Sequence, residues 1–155
     1  MANILYTLKF IRKLHDDFNT QRIEKSSWTH EAHLLVALSY VKSFEEYETL
    51  CRLKAGIILL NHTHGTINDE KGGYHETLTH FWAKITRLFS ELHPDYEIER
   101  LANSFFLSAL FEKNLPLVFY KKNLLMSAQY RAIFVAPELL PLNEDSILRL
   151  INKVV

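Results

Sequence analysis

The sequence predicts a single all-α domain, a bundle of about five helices, on three observations. A chain of 155 residues is long enough to fold on one core and short for two domains. Glycine and proline together number 8, about 5% against a usual ~12%, which leaves too few turn residues for a many-stranded protein. Apolar residues recur at the helical period from end to end, with no internal repeat and no low-complexity stretch.

The first helix is expected over about Ile4 to Phe18, with Ile4, Leu8, Ile11, Leu14 and Phe18 on one face, and the polar stretch Asn19 to Ser27 ends it. Thr29 is the candidate N-cap of the second, which carries Leu34, Ala37, Leu38 and Val41 inward until Ser43 interrupts it. Ser43 with Glu46 three residues on has the form of a capping box, so a third helix is expected from Phe44 through Tyr47, Leu50, Cys51, Ile57 and Leu60. His62 to Gly73 is polar and holds three of the four glycines, which makes it the longest loop and the candidate functional one. The fourth helix should open near Tyr74 or His75, present Leu78, Trp82, Ile85 and Phe89, and stop before His93-Pro94. Asp95 is placed to cap the fifth, with Ile98, Leu101, Ala102, Phe105 and Ala109 inward, fading at Asn114-Leu115-Pro116. Beyond Pro116 the pattern weakens to a short turn or partial helix near Lys122 to Phe134. A connection at Pro137 and Pro141 then leads to a last short helix from Asn143 or Ser146 to the end.

Composition excludes several classes of function. Lysine plus arginine equals aspartate plus glutamate at 18 each, and both signs divide evenly about residue 75, so neither a nucleic-acid backbone nor an anionic membrane is an expected partner. The longest apolar run, Ala55 to Leu60, falls far below the ~20 residues of a membrane span, and no secretory leader is expected. The single Cys51 can make no intrachain disulfide or cysteine-rich zinc site, which points to a reducing compartment, the cytoplasm by default. On the apolar side of the third helix it should behave as a small hydrophobe.

Histidine is the residue that stands out: seven of the eight lie between residues 30 and 93. In Trp28-Thr29-His30-Glu31-Ala32-His33-Leu34, two imidazoles sit three apart on one helix, His30 in line with the apolar face and His33 at its edge. The spacing differs from the zinc-protease helix, whose histidines are four apart with a glutamate between. Tyr74-His75-Glu76-Thr77 follows the Gly72-Gly73 hinge, and His75 shares a face with Leu78, Thr79 and Trp82. Inward histidines on two helices, with Glu31 and Glu76 beside them, supply the nitrogen and oxygen donors of a divalent metal site in a bundle core. His30, His33, His75 and Glu76 are the expected ligands, for iron, manganese or zinc. Glu76 would serve as ligand or as catalytic proton acceptor. The paired Glu-x-x-His elements of a di-iron carboxylate centre are absent. No Ser-His-Asp order, phosphate loop or dinucleotide fingerprint occurs.

Across Trp28 to Leu34, Gly73 to Thr77, and Ser127 followed by Arg131 and Phe134-Val135-Ala136-Pro137-Glu138-Leu139-Leu140-Pro141-Leu142, the chain resembles a family of small all-helical bacterial proteins of uncharacterised function. The resemblance implies a bacterial source and an all-α fold, and it singles out His30, His33, Tyr74, His75, Glu76 and Arg131. It implies no reaction, and His62 and His64 fall outside its pattern. Tyr74 and Arg131 join the site as binding residues. Arg131 precedes the apolar run Ala132 to Ala136 and is expected to reach back to Glu76 or Glu31, since a buried arginine needs a carboxylate.

Two functional readings remain open from these residues. One is a metal or small-molecule site in the bundle core, enzymatic or not. The other is a structural or interaction protein, a homo-oligomer among the options, whose histidines, Tyr74 and Thr79 form a hydrogen-bonded network.

Overall fold

A computed structural model describes residues 5–153. Ile4, at the start of the first expected helix, lies outside them, as does the end of the last. Among the described residues the fold is all-helical, with nine α-helices, two single-turn 3₁₀ stretches and no strand. No helix among them is long and apolar enough to cross a membrane.

Helix α1 (Leu8–Asn19) is capped by Thr7, whose hydroxyl accepts from the Phe10 N–H, and buries Ile11, Leu14 and Phe18 at helical spacing. Helix α2 (His30–Ser43) starts at the expected cap, Thr29, and is enclosed along its length, with Ala32 and every residue from Leu34 to Val41 buried. It is the central rod of the domain. Helices α1, α3 (Glu46–Thr63), α4 (Glu76–Leu92) and α5 (Ile98–Phe106) all pack around it, α4 most extensively.

The capping box expected at Ser43 does not form. Ser43 is the last residue of α2 and donates its hydroxyl to the Ser39 carbonyl, while the Glu45 carboxylate caps α3 by accepting from Tyr47 and Glu48 N–H groups at 3.0 and 2.6 Å. The buried face of α3 also differs from expectation. Thr49, Leu53 and Leu60 are buried, Leu50 and Ile57 are partly covered, and Tyr47 and Cys51 stand in solvent. The reason is at Gly56, which the Phe18 ring approaches so closely that a Cβ would overlap it. A hydroxyl and a glycine mark this face, and neither registers in an apolar pattern.

Helix α4 begins after His75 and ends before His93-Pro94 as expected, burying Phe81, Ile85, Leu88 and Phe89. Helix α5 is preceded by Glu97, with no side-chain cap, so Asp95 does not play that part; a 3₁₀ turn, Ala109–Phe111, follows it. After Pro116 the chain makes three short helices, α6 (Pro116–Phe119), α7 (Lys122–Leu125) and α8 (Ala128–Ala132). An extended stretch then crosses the start of α4. It is tied there by the fully buried Thr77, whose hydroxyl donates to the Ile133 carbonyl and accepts from the Val135 N–H. Tyr120 O–H to Val135 and Leu139 N–H to Phe119 complete the attachment. Asn143 caps the last helix, α9 (Glu144–Asn152), which packs on α4 and the 3₁₀ turn.

Candidate functional site

The loop between α3 and α4 is organised by Asn68. Its side-chain oxygen accepts from the Asn61 amide at 3.0 Å and from the Tyr74 N–H at 2.8 Å. Gly73 makes the turn possible. Its φ is +75°, and any Cβ would strike the Asn68 side chain and the Ile67 carbonyl. The loop thereby delivers Tyr74 and His75 to the top of α4.

His75 is the N-cap of α4. Its Nδ1 accepts from the Leu78 N–H at 3.2 Å, and its Nε2 donates to the Leu125 carbonyl at 2.8 Å, which defines the tautomer and occupies both nitrogens. Burial lowers its pKa, with the Arg131 charge adding to that and the Leu125 carbonyl opposing it. The ring is therefore a neutral structural pin between α4 and α7.

His30 and His33 stand at the start of α2. His30 donates from Nε2 to the Phe111 carbonyl at 2.8 Å and sits edge-on to Trp82, with centroids 4.9 Å apart. His33 donates from Nδ1 to the Thr29 carbonyl at 2.7 Å and lies over Trp28 at 3.7 Å, whose indole also stacks on Phe18. Burial pushes the His33 pKa down to about 4; the Thr29 carbonyl opposes the shift and His30 adds to it. Both rings thus use one nitrogen as donor, and among the described residues no group bonds the other, which is a bare acceptor.

His30, His33 and His75 line one cleft, together with Tyr74, but they do not assemble into the expected ligand set. His30 and His75 turn Nε2 to different backbone carbonyls rather than to each other. Glu76 is not part of the cleft lining; it accepts from Tyr74 O–H at 2.6 Å, pairs with Lys54 at 3.0 Å and meets His80 Nε2 at 3.2 Å. Burial pushes its carboxyl up, but the Tyr74 and Lys54 hydrogen bonds and the Lys54 charge outweigh that, so its pKa lies below the usual value. Among the described residues no three histidine, cysteine, aspartate or glutamate side chains gather into a metal-holding group.

Arg131 is a further correction. It reaches the site, but its Nη1 donates to the carbonyls of Gly73 and Tyr74 at 3.2 and 3.3 Å, and its ion pair with Glu76 or Glu31 does not form. Carbonyls at a tight turn serve a guanidinium as acceptors, and Glu76 is already held by Lys54. Of the other histidines, His62 is exposed, and His64 donates to the Ile23 carbonyl at 2.6 Å, tying the end of α3 to the segment after α1.

The cleft measures about 700 Å³ and runs between α2, α3, α4 and the segment beyond Asn114. Its walls are mostly apolar, with Leu53, Ile57, Leu78 and Leu125 among them, and both of the chain's tryptophans, Trp28 and Trp82, contribute. Lys113, Leu117, Lys122 and Met126 close one side and had no signal in the sequence, because they come from the stretch where helical periodicity fails. Compared with known proteins, the chain matches no family model, no curated protein and no solved structure.

Proposed function

We propose that the protein binds a small organic molecule in the cleft between α2, α3 and α4. The observation that carries this is the cleft's make-up: about 700 Å³ of mainly apolar and aromatic wall holding a few polar groups, among them two imidazoles with a bare acceptor nitrogen. Such a volume and lining suit a drug-sized ligand, which apolar burial holds and a few hydrogen bonds orient. The helices and the turn of Gly73, Tyr74 and His75 that form much of the wall are pinned by His75, Thr77 and Arg131, which lowers the ordering cost of binding. His33 is neutral at physiological pH and accepts a proton donor from the ligand rather than offering a charge.

The test is titration with N-phenyl-1-naphthylamine, whose emission rises in apolar surroundings. Saturable binding with quenching of Trp28 and Trp82 is expected, and Ile57→Trp, which narrows the cleft, should weaken it by about tenfold or more, the effect of losing ~1.4 kcal/mol. Absence of saturable binding, or equal affinity in the variant with helicity intact, would overturn the reading.

A further inference from the structure

Resting on that small-molecule reading, we infer that the cleft selects an organic anion: an apolar, ring-sized body bearing one acidic group and one O–H or N–H donor. Charge at the cleft carries this. No aspartate or glutamate lines it, although the chain has as many acidic as basic residues. Two lysines do line it, Lys113 in the turn before α6 and Lys122 at the start of α7, and both are exposed. Neither makes an ion pair among the described residues. Glu31, on α2, feels the Lys113 charge without pairing to it. A ligand acid at this side of the cleft meets two positive charges that no ion pair occupies, beside an apolar wall where solvent screens less than on an open surface.

The α2 side of the cleft sets the other requirement. His33 Nε2 and His30 Nδ1 are ring nitrogens left without a partner while the other nitrogen of each ring donates to a backbone carbonyl, so a ligand hydroxyl or N–H turned toward α2 would be satisfied there. The ligand is thereby polarised, with its donor toward α2 and its acid toward the α6 and α7 side. Another cavity, about 440 Å³ beside Leu50, His80 and Phe134, has its basic groups already engaged. Its Lys84 pairs with Glu46 at 3.1 Å, and its Arg87 is occupied by the carbonyls of Val41 and Phe44 and by Thr49.

Two probes of one skeleton separate the claims. 8-Anilinonaphthalene-1-sulfonate has the rings, the N–H and an acidic group; N-phenyl-1-naphthylamine has the same rings and N–H without the acid. Replacing both lysines, Lys113→Gln with Lys122→Gln, should weaken the sulfonate probe about fivefold or more at low salt and leave the neutral probe within about twofold. Rising salt should weaken the sulfonate probe in the wild-type protein and leave the double variant unaffected. Unchanged sulfonate affinity in the double variant would overturn the anion inference while the neutral probe still reports the cleft. Binding of neither probe would instead sink the small-molecule reading. Ile57→Trp should weaken both probes about tenfold or more; should it fail to fold, Leu117→Trp on the exposed rim takes its place. Sulfonate binding that survives blockage of the cleft would place the anion elsewhere and overturn the inference as well.

Discussion

His33 carries a measurable consequence of its burial over Trp28. A histidine whose folded pKa is about 4, against an ordinary 6.5, takes up its proton more readily when the chain unfolds. Stability is therefore fully present above pH ~6.5 and falls as pH drops from there through the folded value. The His75 and His15 shifts have the same sign. We expect a loss of roughly 1–3 kcal/mol attributable to His33 over that window. Denaturant melts between pH 7 and pH 4 would measure it, and His33→Phe should flatten the slope. Stability that rises on acidification would contradict the assignment. Arg131 and Glu76 make the second case at this scale. Because Arg131 holds the Gly73 and Tyr74 carbonyls while Glu76 holds Lys54, the Tyr74 hydroxyl and His80, their substitutions should couple only weakly, through the one residue they share, Tyr74. Arg131→Ala is expected to cost about 1–2 kcal/mol for its charge-assisted bonds. Combined with Glu76→Gln, the effects should add to within ~0.5 kcal/mol. A coupling energy of several kcal/mol in the double-mutant cycle, the size expected of a direct buried pair, would mean that the two side chains meet after all.

At the level of helices, two contacts decide how the walls of the cleft stand. Helix α3 approaches α1 through Gly56, against which the Phe18 ring lies flush. Gly56→Ala gains helix propensity, yet it drives a methyl into a ring with no free space, and a net loss of about 1–3 kcal/mol is expected. Gly72→Ala, where a Cβ meets nothing within 4 Å and φ is unremarkable, should stay within ~0.5 kcal/mol. Thermal melts of the pair would reverse the argument if Gly72 proved the sensitive position. The other contact is Thr77, the single buried hydroxyl that serves both Ile133 and Val135. Thr77→Val keeps the shape and removes both bonds, so a cost of about 1–3 kcal/mol is expected, with faster hydrogen exchange at the Val135 amide. Exchange unchanged at Val135 would show that the segment is held elsewhere.

For the molecule as a whole, the cleft joins the α2–α4 core to the short helices beyond Pro116, so a ligand there should stabilise the folded state as a unit. At a hundredfold excess over its Kd, a probe bound only to the folded chain adds about 2.7 kcal/mol. A rise in melting temperature with N-phenyl-1-naphthylamine should accordingly appear in the wild-type protein and fall to about half or less in Ile57→Trp. No shift at saturation would show that binding is not confined to the native cleft. Much of this architecture was legible in the residues. The Thr29 cap, the inward faces of α1, α2 and α4, the stop at His93-Pro94 and the Asn143 start of α9 are local events, written by neighbours within one or two helical turns. Helical projection turns His30 and His75 inward and puts His33 at the edge of its face, and all three line one cleft with Tyr74, which the resemblance singles out. Their partners do not follow. Every residue offers a carbonyl, and only the path of the chain selects Phe111 for His30, Leu125 for His75 and Gly73 for Arg131. These long-range choices, which turn candidate ligands into structural pins and leave an apolar space edged by Lys113 and Lys122, belong to the tertiary structure. A void has no residues of its own, and only packing determines where it opens.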